Sequence, residues 1–207
     1  METWEKLLEK AVNYIKSTPI NDGRDKTLWG LGGGTVLMME YGHRFSKDID
    51  IFLPDPQLLA YFSPRTNNVI EADVESYDEQ AEYIKLIHDD GEIDFIVAKP
   101  ILCKTCKILH MFNTDIPCEH PFEVIAKKIT YRSKNFTVRD FFDLATICYY
   151  SDVTGINEIM RIIYPHAEYL KHRLTGVQSF NEIQTLPSGD IIKQEGIKIL
   201  SNILSKI

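Results

Sequence analysis

Between Trp29 and Phe52 the chain reads WGLGGGTVLMMEYGHRFSKDIDIF, and few folds accommodate that order of parts. Leu28 to Leu31 has the pattern of a short buried strand. Gly32, Gly33 and Gly34 follow, and without Cβ atoms they let the backbone turn sharply and approach a ligand closely. Thr35 to Tyr41 continues as a helix whose free N-terminal amides and dipole suit phosphate oxygens, and Gly42 can end it in a left-handed cap. Asp48 to Phe52 then alternates as a strand, which sends Asp48 and Asp50 to one face and Ile49 and Ile51 to the other. The plainer reading of the segment is a glycine turn that precedes an acidic edge strand.

Two carboxylates held side by side after a phosphate-accepting turn suit Mg²⁺, or Mn²⁺ in its place, because such an ion typically binds one or two carboxylates together with substrate phosphates. Gly34-Thr35 followed by Asp48-Ile49-Asp50 resembles the first motif of the DNA polymerase β-like nucleotidyltransferase superfamily. Further strands are predicted over Val69–Tyr77 and Glu82–His88, then a turn at Asp89-Asp90-Gly91 and a strand over Glu92–Val97. Asp94 lies there between Ile93 and Phe95, the hydrophobic-Asp-hydrophobic pattern from which the superfamily draws its third catalytic carboxylate. The competing reading of Asp94 is an acid on the solvent face of a strand. Glu92 shares its strand face and ranks below it, being closer to the turn.

After Pro121 the pattern changes from strands to helix for the rest of the chain, which predicts a core domain over residues 1–120 and a helical domain over 121–207 that closes the cleft. The first helix carries Glu123, Lys127, Lys128 and Arg132. Lys128 and Arg132, four apart, share a face that could meet triphosphate charge or simply be solvated. The segment EVIAKKITYRSKNFTVRDFFDLATI, coming after GGGT and HRFSKDIDIF, resembles the AbiEii/AbiGii-type nucleotidyltransferases, toxins of bacterial abortive-infection and toxin–antitoxin systems. The likeness covers residues 28 to 147. It matches the family's helical Lys with Lys128, its Arg-Asp-x-x-Asp-Leu segment with Arg139, Asp140, Asp143 and Leu144, and its His-Arg-x-Ser with His43, Arg44 and Ser46.

The resemblance implies an α+β nucleotidyltransferase fold with a mixed, twisted sheet. It implies Mg²⁺ held by Asp48, Asp50 and Asp94, and catalytic roles for these three with Lys128 and Asp140. Gly33, Gly34, Thr35, Arg44, Ser46, Lys128 and Arg132 would bind the nucleotide. Ser46 could equally fix its loop, and Asp140 could orient Lys128 or tie two helices together. The implied reaction transfers a nucleoside monophosphate from an NTP, with the 3′ end of tRNA as acceptor and a cognate antitoxin as partner. Two alternatives stand beside it: transfer to a protein or a small molecule such as an antibiotic, and a catalytically silent nucleotide-binding module.

Composition bounds these readings. With 207 residues and 44% hydrophobic content the chain can bury a substantial core. Its net charge of -7 argues against broad electrostatic adhesion to nucleic acid. No run reaches the length of a membrane span and the N-terminus reads as a charged amphipathic helix, so a cytoplasmic protein with no membrane partner is expected. Cys103, Cys106, Cys118 and His120 could be drawn as a zinc site, but the second pair is spaced too closely, and reduced cysteines are the better reading. Three C-terminal helices are predicted, over Ile156–Thr175 with a break near Pro165, Gln178–Thr185 and Ser188–Ile207. Lys171, His172 and Arg173 form a small basic cluster that could meet an RNA backbone or be an ordinary solvated helix end.

Overall fold

The structure, a computed structural model, describes residues 1–21, 28–102 and 107–207. Seven strands form one mixed sheet: β1 (Gly30–Gly32), β2 (Ile49–Leu53), β3 (Ser76–Glu79), β4 (Tyr83–His88), β5 (Gly91–Val97), β6 (Lys107–Met111) and β7 (Thr114–Cys118), in the order β3-β4-β5-β2-β1-β7-β6. The β2–β5 and β1–β7 pairs are parallel and the others antiparallel. Among the described residues eight α-helices accompany them: α1 (Thr3–Lys16), α2 (Gly33–Tyr41), α3 (Asn68–Glu71), α4 (Pro121–Arg132), α5 (Val138–Tyr150), α6 (Val153–Ile163), α7 (Ala167–Thr175) and α8 (Asp190–Leu204). The class is α+β, as the sequence predicts.

The chain divides into two compact units, residues 1–36 with 46–120, and residues 37–45 with 121–207. In the first, β2 and β5 bury every second residue. Ile49, Ile51 and Leu53 with Ile93 and Phe95 make one apolar face. Helix α1 packs on these two strands and buries Leu7, Leu8, Ala11, Val12 and Ile15, an apolar stripe at helical spacing. Phe62 stacks on Phe95 with ring centroids 3.8 Å apart. The alternate residues, Asp50, Glu92 and Asp94 among them, are left on the other, less covered face.

In the second unit α5 packs against α8, where Gly196 allows close approach, since a Cβ there would lie 2.7 Å from the Phe180 ring. Phe142 is buried between Phe180 and the His43 imidazole. Residues 43–45 do not form a free loop. Phe45 N–H donates to the Gln184 carbonyl at 3.1 Å and Leu186 N–H to the His43 carbonyl at 3.2 Å, so Arg44 and Thr185 make an antiparallel bridge.

Five expectations change at the level of elements. The first strand is Gly30–Gly32 rather than Leu28–Leu31, and the helix after it starts at Gly33, two residues before Thr35. Asp48 lies just outside β2. Residues 69–71, expected as strand, are helical because the Asn67 side chain accepts hydrogen bonds from the Val69 and Ile70 amides and so starts a turn. Residues 178–185 form no helix, because Gln184 and its neighbours pair with residues 43–45 instead. Cys103 and Cys106 lie outside the described residues, whereas Cys118 and Cys148 are buried thiols, that of Cys118 directed at the Ile116 carbonyl at 3.7 Å.

Gly189 shows how tightly that pairing is packed. Its φ of -85° suits any residue, but a Cβ would lie 1.9 Å from the His43 carbonyl oxygen. Gly189→Ala is therefore expected to destabilise the protein by about 1–3 kcal/mol through overpacking against backbone, read as a lower urea midpoint, whereas Gly176→Ala, where a Cβ would make only an ordinary contact 3.5 Å from the Arg173 carbonyl oxygen, should change it by less than about 1 kcal/mol.

Candidate active site

A single row of residues runs across the sheet of the first unit. Ladder pairing sets Lys85 opposite Asp94, Asp94 opposite Asp50, and Asp50 opposite Gly32. Residues directly opposite one another share a face. A cation, two carboxylates and a glycine thus stand side by side. The glycine turn closes on this row: Gly33 has φ +66°, and a Cβ there would lie 1.8 Å from Asp50 Oδ2. Glycine is required at position 33 both by the left-handed backbone and by the carboxylate that occupies the side-chain space.

Asp94 is a perturbed acid of the row. Lys85 Nζ lies 3.2 Å from its Oδ2 and also pairs with Glu92, while its buried Oδ1 has no hydrogen-bond partner. Burial first and the neighbouring Asp50 second push its carboxyl up to about 6, against the opposing pull of Lys85. Asp48 stands two residues before Asp50 at the entry of β2, half-buried like Asp50. Its Oδ1 accepts from the Glu92 amide at 3.3 Å, and its carbonyl accepts the Thr35 hydroxyl at 2.7 Å. Thr35 is fully buried, so this hydroxyl ties the start of α2 to the entry of β2. Gly34 lies in the first turn of α2, and Ser46 is half-buried just ahead of the acidic strand.

Glu119 joins this neighbourhood without a motif to announce it. Its amide donates to the Leu31 carbonyl at 2.8 Å, and a Cβ on Gly32 would lie 2.7 Å from its Oε2. The carboxylate therefore overhangs the space that Gly32 leaves empty. The available signal was a lone acid directly after a strand, which is too common to single out.

Among the described residues no three His, Cys, Asp or Glu side chains form a ready-made metal cage. Asp50 and Asp94 fit instead the open kind of site, in which a hard divalent cation takes one or two carboxylates and completes its shell with waters and substrate phosphates. An unpartnered buried carboxylate oxygen beside a second carboxylate is the electrostatic condition that such a cation relieves.

The second unit contains a buried ionic network. Asp143, fully buried, accepts from His43 Nε2 at 2.8 Å, from Arg44 Nε at 2.6 Å and Nη2 at 2.8 Å, and from Lys128 Nζ at 2.6 Å. Asp140 accepts from Lys128 at 3.0 Å, from Arg132 at 2.5 Å, and from the Thr137 amide and hydroxyl as part of the N-terminal cap of α5. Burial alone would raise both carboxyls, but the adjoining cations hold Asp140 below its ordinary range and Asp143 well below it. Lys128 is thus clamped between two carboxylates, and Arg44 is buried in a bidentate pair with Asp143. Arg132, by contrast, keeps 49% of its side chain exposed. Of the residues expected to act together, the structure gathers Gly33, Asp50 and Asp94 in one unit and Arg44, Lys128, Arg132 and Asp140 in the other. Asp143 and His43 were legible only as matched motif positions, and their part as the centre of a network comes from the fold.

The family model described as nucleotidyl transferase AbiEii toxin, type IV toxin–antitoxin system, matches residues 19–196. The comparison with curated proteins yields no match. Among solved structures, the solution structure of the antibiotic-resistance factor ANT(2″)-Ia aligns with a TM-score of 0.52 at 14% identity, covering 84% of this chain and 98% of that one. A crystal structure of ANT(2″)-Ia in complex with adenylyl-2″-tobramycin aligns with a TM-score of 0.48 at 12% identity, covering 83% and 99%. At these identities the first likeness speaks for a shared nucleotidyltransferase fold.

Two outcomes follow from the electrostatics. Asp143→Ala leaves Arg44 and Lys128 without their shared anion and is expected to cost about 3–5 kcal/mol in urea unfolding. Asp94 has a raised folded-state pKa, so the folded chain holds a proton that the unfolded chain has released. Stability should therefore fall by roughly 1–3 kcal/mol as pH rises from about 4 to about 6. Asp94→Asn should remove that slope and unfold at higher urea than the native chain at neutral pH in the absence of divalent cations.

Proposed function

The chain belongs to the AbiEii nucleotidyl transferase toxin family and is a nucleotidyltransferase, and from that premise we propose that it moves a nucleoside monophosphate from an NTP to the 3′-terminal hydroxyl of a tRNA. The observation that carries the proposal is the row of Asp94 and Asp50 with Gly33 pressed against the Asp50 carboxylate. Glycine at the first position of α2 leaves the amides of that turn open to phosphate oxygens, close to the acids.

Asp50 and Asp94 would hold Mg²⁺, which when bound neutralises charge on the triphosphate and its leaving pyrophosphate. Asp94 Oδ1, unpartnered and on a carboxyl poised near 6, is the atom assigned to take the proton of the attacking hydroxyl. The acceptor oxygen bonds to the α-phosphorus, the bond to the β-phosphate bridging oxygen breaks, and pyrophosphate leaves. Asp48 and Thr35 are positioning residues in this scheme: their hydrogen bonds lock the glycine turn, β2 and β5 into register. Within the second unit Asp140 is the anion that orients Lys128, the helical Lys of the family pattern, and Arg132. A cognate antitoxin partner follows from the family's place in type IV toxin–antitoxin systems.

Incubation with each α-labelled NTP, Mg²⁺, total bacterial RNA and total protein tests the proposal. Label is expected in a tRNA-sized band, reduced by roughly 100-fold or more in Asp50→Ala, with the variant still folded because removing one of two adjacent acids relieves repulsion when no metal is bound. Label in protein or in a small-molecule fraction would move the acceptor to that class. Full transfer by Asp50→Ala would overturn the assignment of the site.

A further inference from the structure

Charge in this acidic chain is unevenly distributed. Residues 131–139, YRSKNFTVR, hold three basic side chains and no acid, and residues 164–177, YPHAEYLKHRLTGV, hold Lys171, Arg173 and two histidines against Glu168 alone. The fold joins these two segments within the second unit. Ser133 Oγ lies 3.2 Å from His166 Nδ1, Arg173 Nε donates to the Phe136 carbonyl at 3.2 Å, and Lys134 Nζ lies 5.2 Å from the centre of the Tyr169 ring. A cavity of about 300 Å³ opens beside them, lined by Phe136, Val138, His172, Arg173 and Val177 among others.

Exposed aromatics are interleaved with these cations: Tyr131 is 61% exposed, Tyr164 71% and Tyr169 46%. Tyr131 and Tyr164 leave most of their area at the surface and Tyr169 close to half, so all three present ring area that packing does not use. Cations that meet a phosphate backbone and aromatic faces that accept bases are the two elements of sequence-tolerant single-strand binding. The contact between Lys134 and Tyr169 is an exposed cation–π pair and therefore weak, so a base can take the ring while the ammonium turns to a phosphate. The cavity is at the small end of ligand-pocket sizes and suits one nucleoside better than a folded partner.

We propose that residues 131–139 and 164–177 form a binding face for single-stranded RNA, with Lys134, Arg139, His172 and Arg173 on phosphates and Tyr169 stacking on a base. A duplex hides its base faces and leaves the tyrosines unused, whereas unpaired RNA ends and loops present them. An acidic peptide would engage the cations alone. The face is independent of the transfer chemistry, and its test contains no NTP and can be repeated on Asp50→Ala, so failure of one assignment is distinguishable from failure of the other.

The experiment is fluorescence anisotropy with the full chain and a labelled single-stranded RNA of about 15 nucleotides, titrated from about 50 to 200 mM salt. Binding is expected, with affinity falling steeply with salt. Lys134→Ala combined with Arg139→Ala should weaken it about 10-fold at the lowest salt and flatten the log–log slope by about 1.4, two contacts at ~0.7 each. Tyr169→Ala should weaken it by about 10-fold with the slope unchanged. Arg173 is spared in the primary variants because its Nε supports the Phe136 carbonyl, and circular dichroism verifies that the others are folded. No binding at the lowest salt, unchanged binding by both variants, displacement by polyglutamate as efficient as by unlabelled RNA, or tighter binding of the matching DNA strand would each overturn the proposal.

Discussion

The carboxylate of Asp50 occupies the space where a side chain on residue 33 would have to go, and much of the first unit is arranged around that contact. It requires the chain to pass from β1 into α2 through a left-handed glycine. It also requires β2 to sit next to β1 in a register that sets Asp50 opposite Gly32. The parallel partner β5 then delivers Asp94 to the other side of Asp50. Placing two acids in adjacent positions of one ladder row is electrostatically unfavourable. Lys85, from the next strand out, offsets part of the repulsion, and burial first and the remaining repulsion second raise the pKa of Asp94. A buried carboxyl raised beside a second carboxylate is the kind of perturbation that clusters at functional sites.

The second unit handles charge in the opposite way. Around Asp140 and Asp143 every buried anion has two or more cationic or hydrogen-bonding partners, so both carboxyls are held low rather than high. Such a network is costly to desolvate and contributes little net stability, but it is intolerant of losing one member. Its consequence is geometric: Lys128 from α4 is held between two carboxylates of α5, and Arg44 is bound to the same anion as His43 and Lys128. The pairing of residues 43–45 with 184–186 fixes the backbone on which His43 and Arg44 stand.

Legibility in the sequence followed the range of the interactions. The glycine turn, the alternation of β2 and β5 and the helical repeat of α4 and α5 are local patterns, and they led to Gly33, Asp50, Asp94 and Lys128. Where a local pattern was ambiguous, a side-chain hydrogen bond decided. Asn67 turned residues 69–71 into a helix although Val69 and Ile70 favour strand. Gln178–Thr185 lost its expected helix to partners about 140 residues earlier in the chain, a pairing with no local signature. Glu119 was missed for the same reason: it matters only because β7 lies parallel to β1 and Gly32 has no side chain.

By itself the sequence determined the α+β class, the identity of the turn and its carboxylates, and membership of a nucleotidyltransferase toxin family, because each rests on residue types at fixed short spacing. Only the tertiary structure decided that Asp94 rather than Asp48 is the row partner of Asp50, that Thr35 spends its hydroxyl on the Asp48 backbone, and that Arg44 and Lys128 converge on Asp143. Those outcomes depend on strand register and on which buried charges can be paired, and both are properties of the assembled sheet and helices rather than of any one segment.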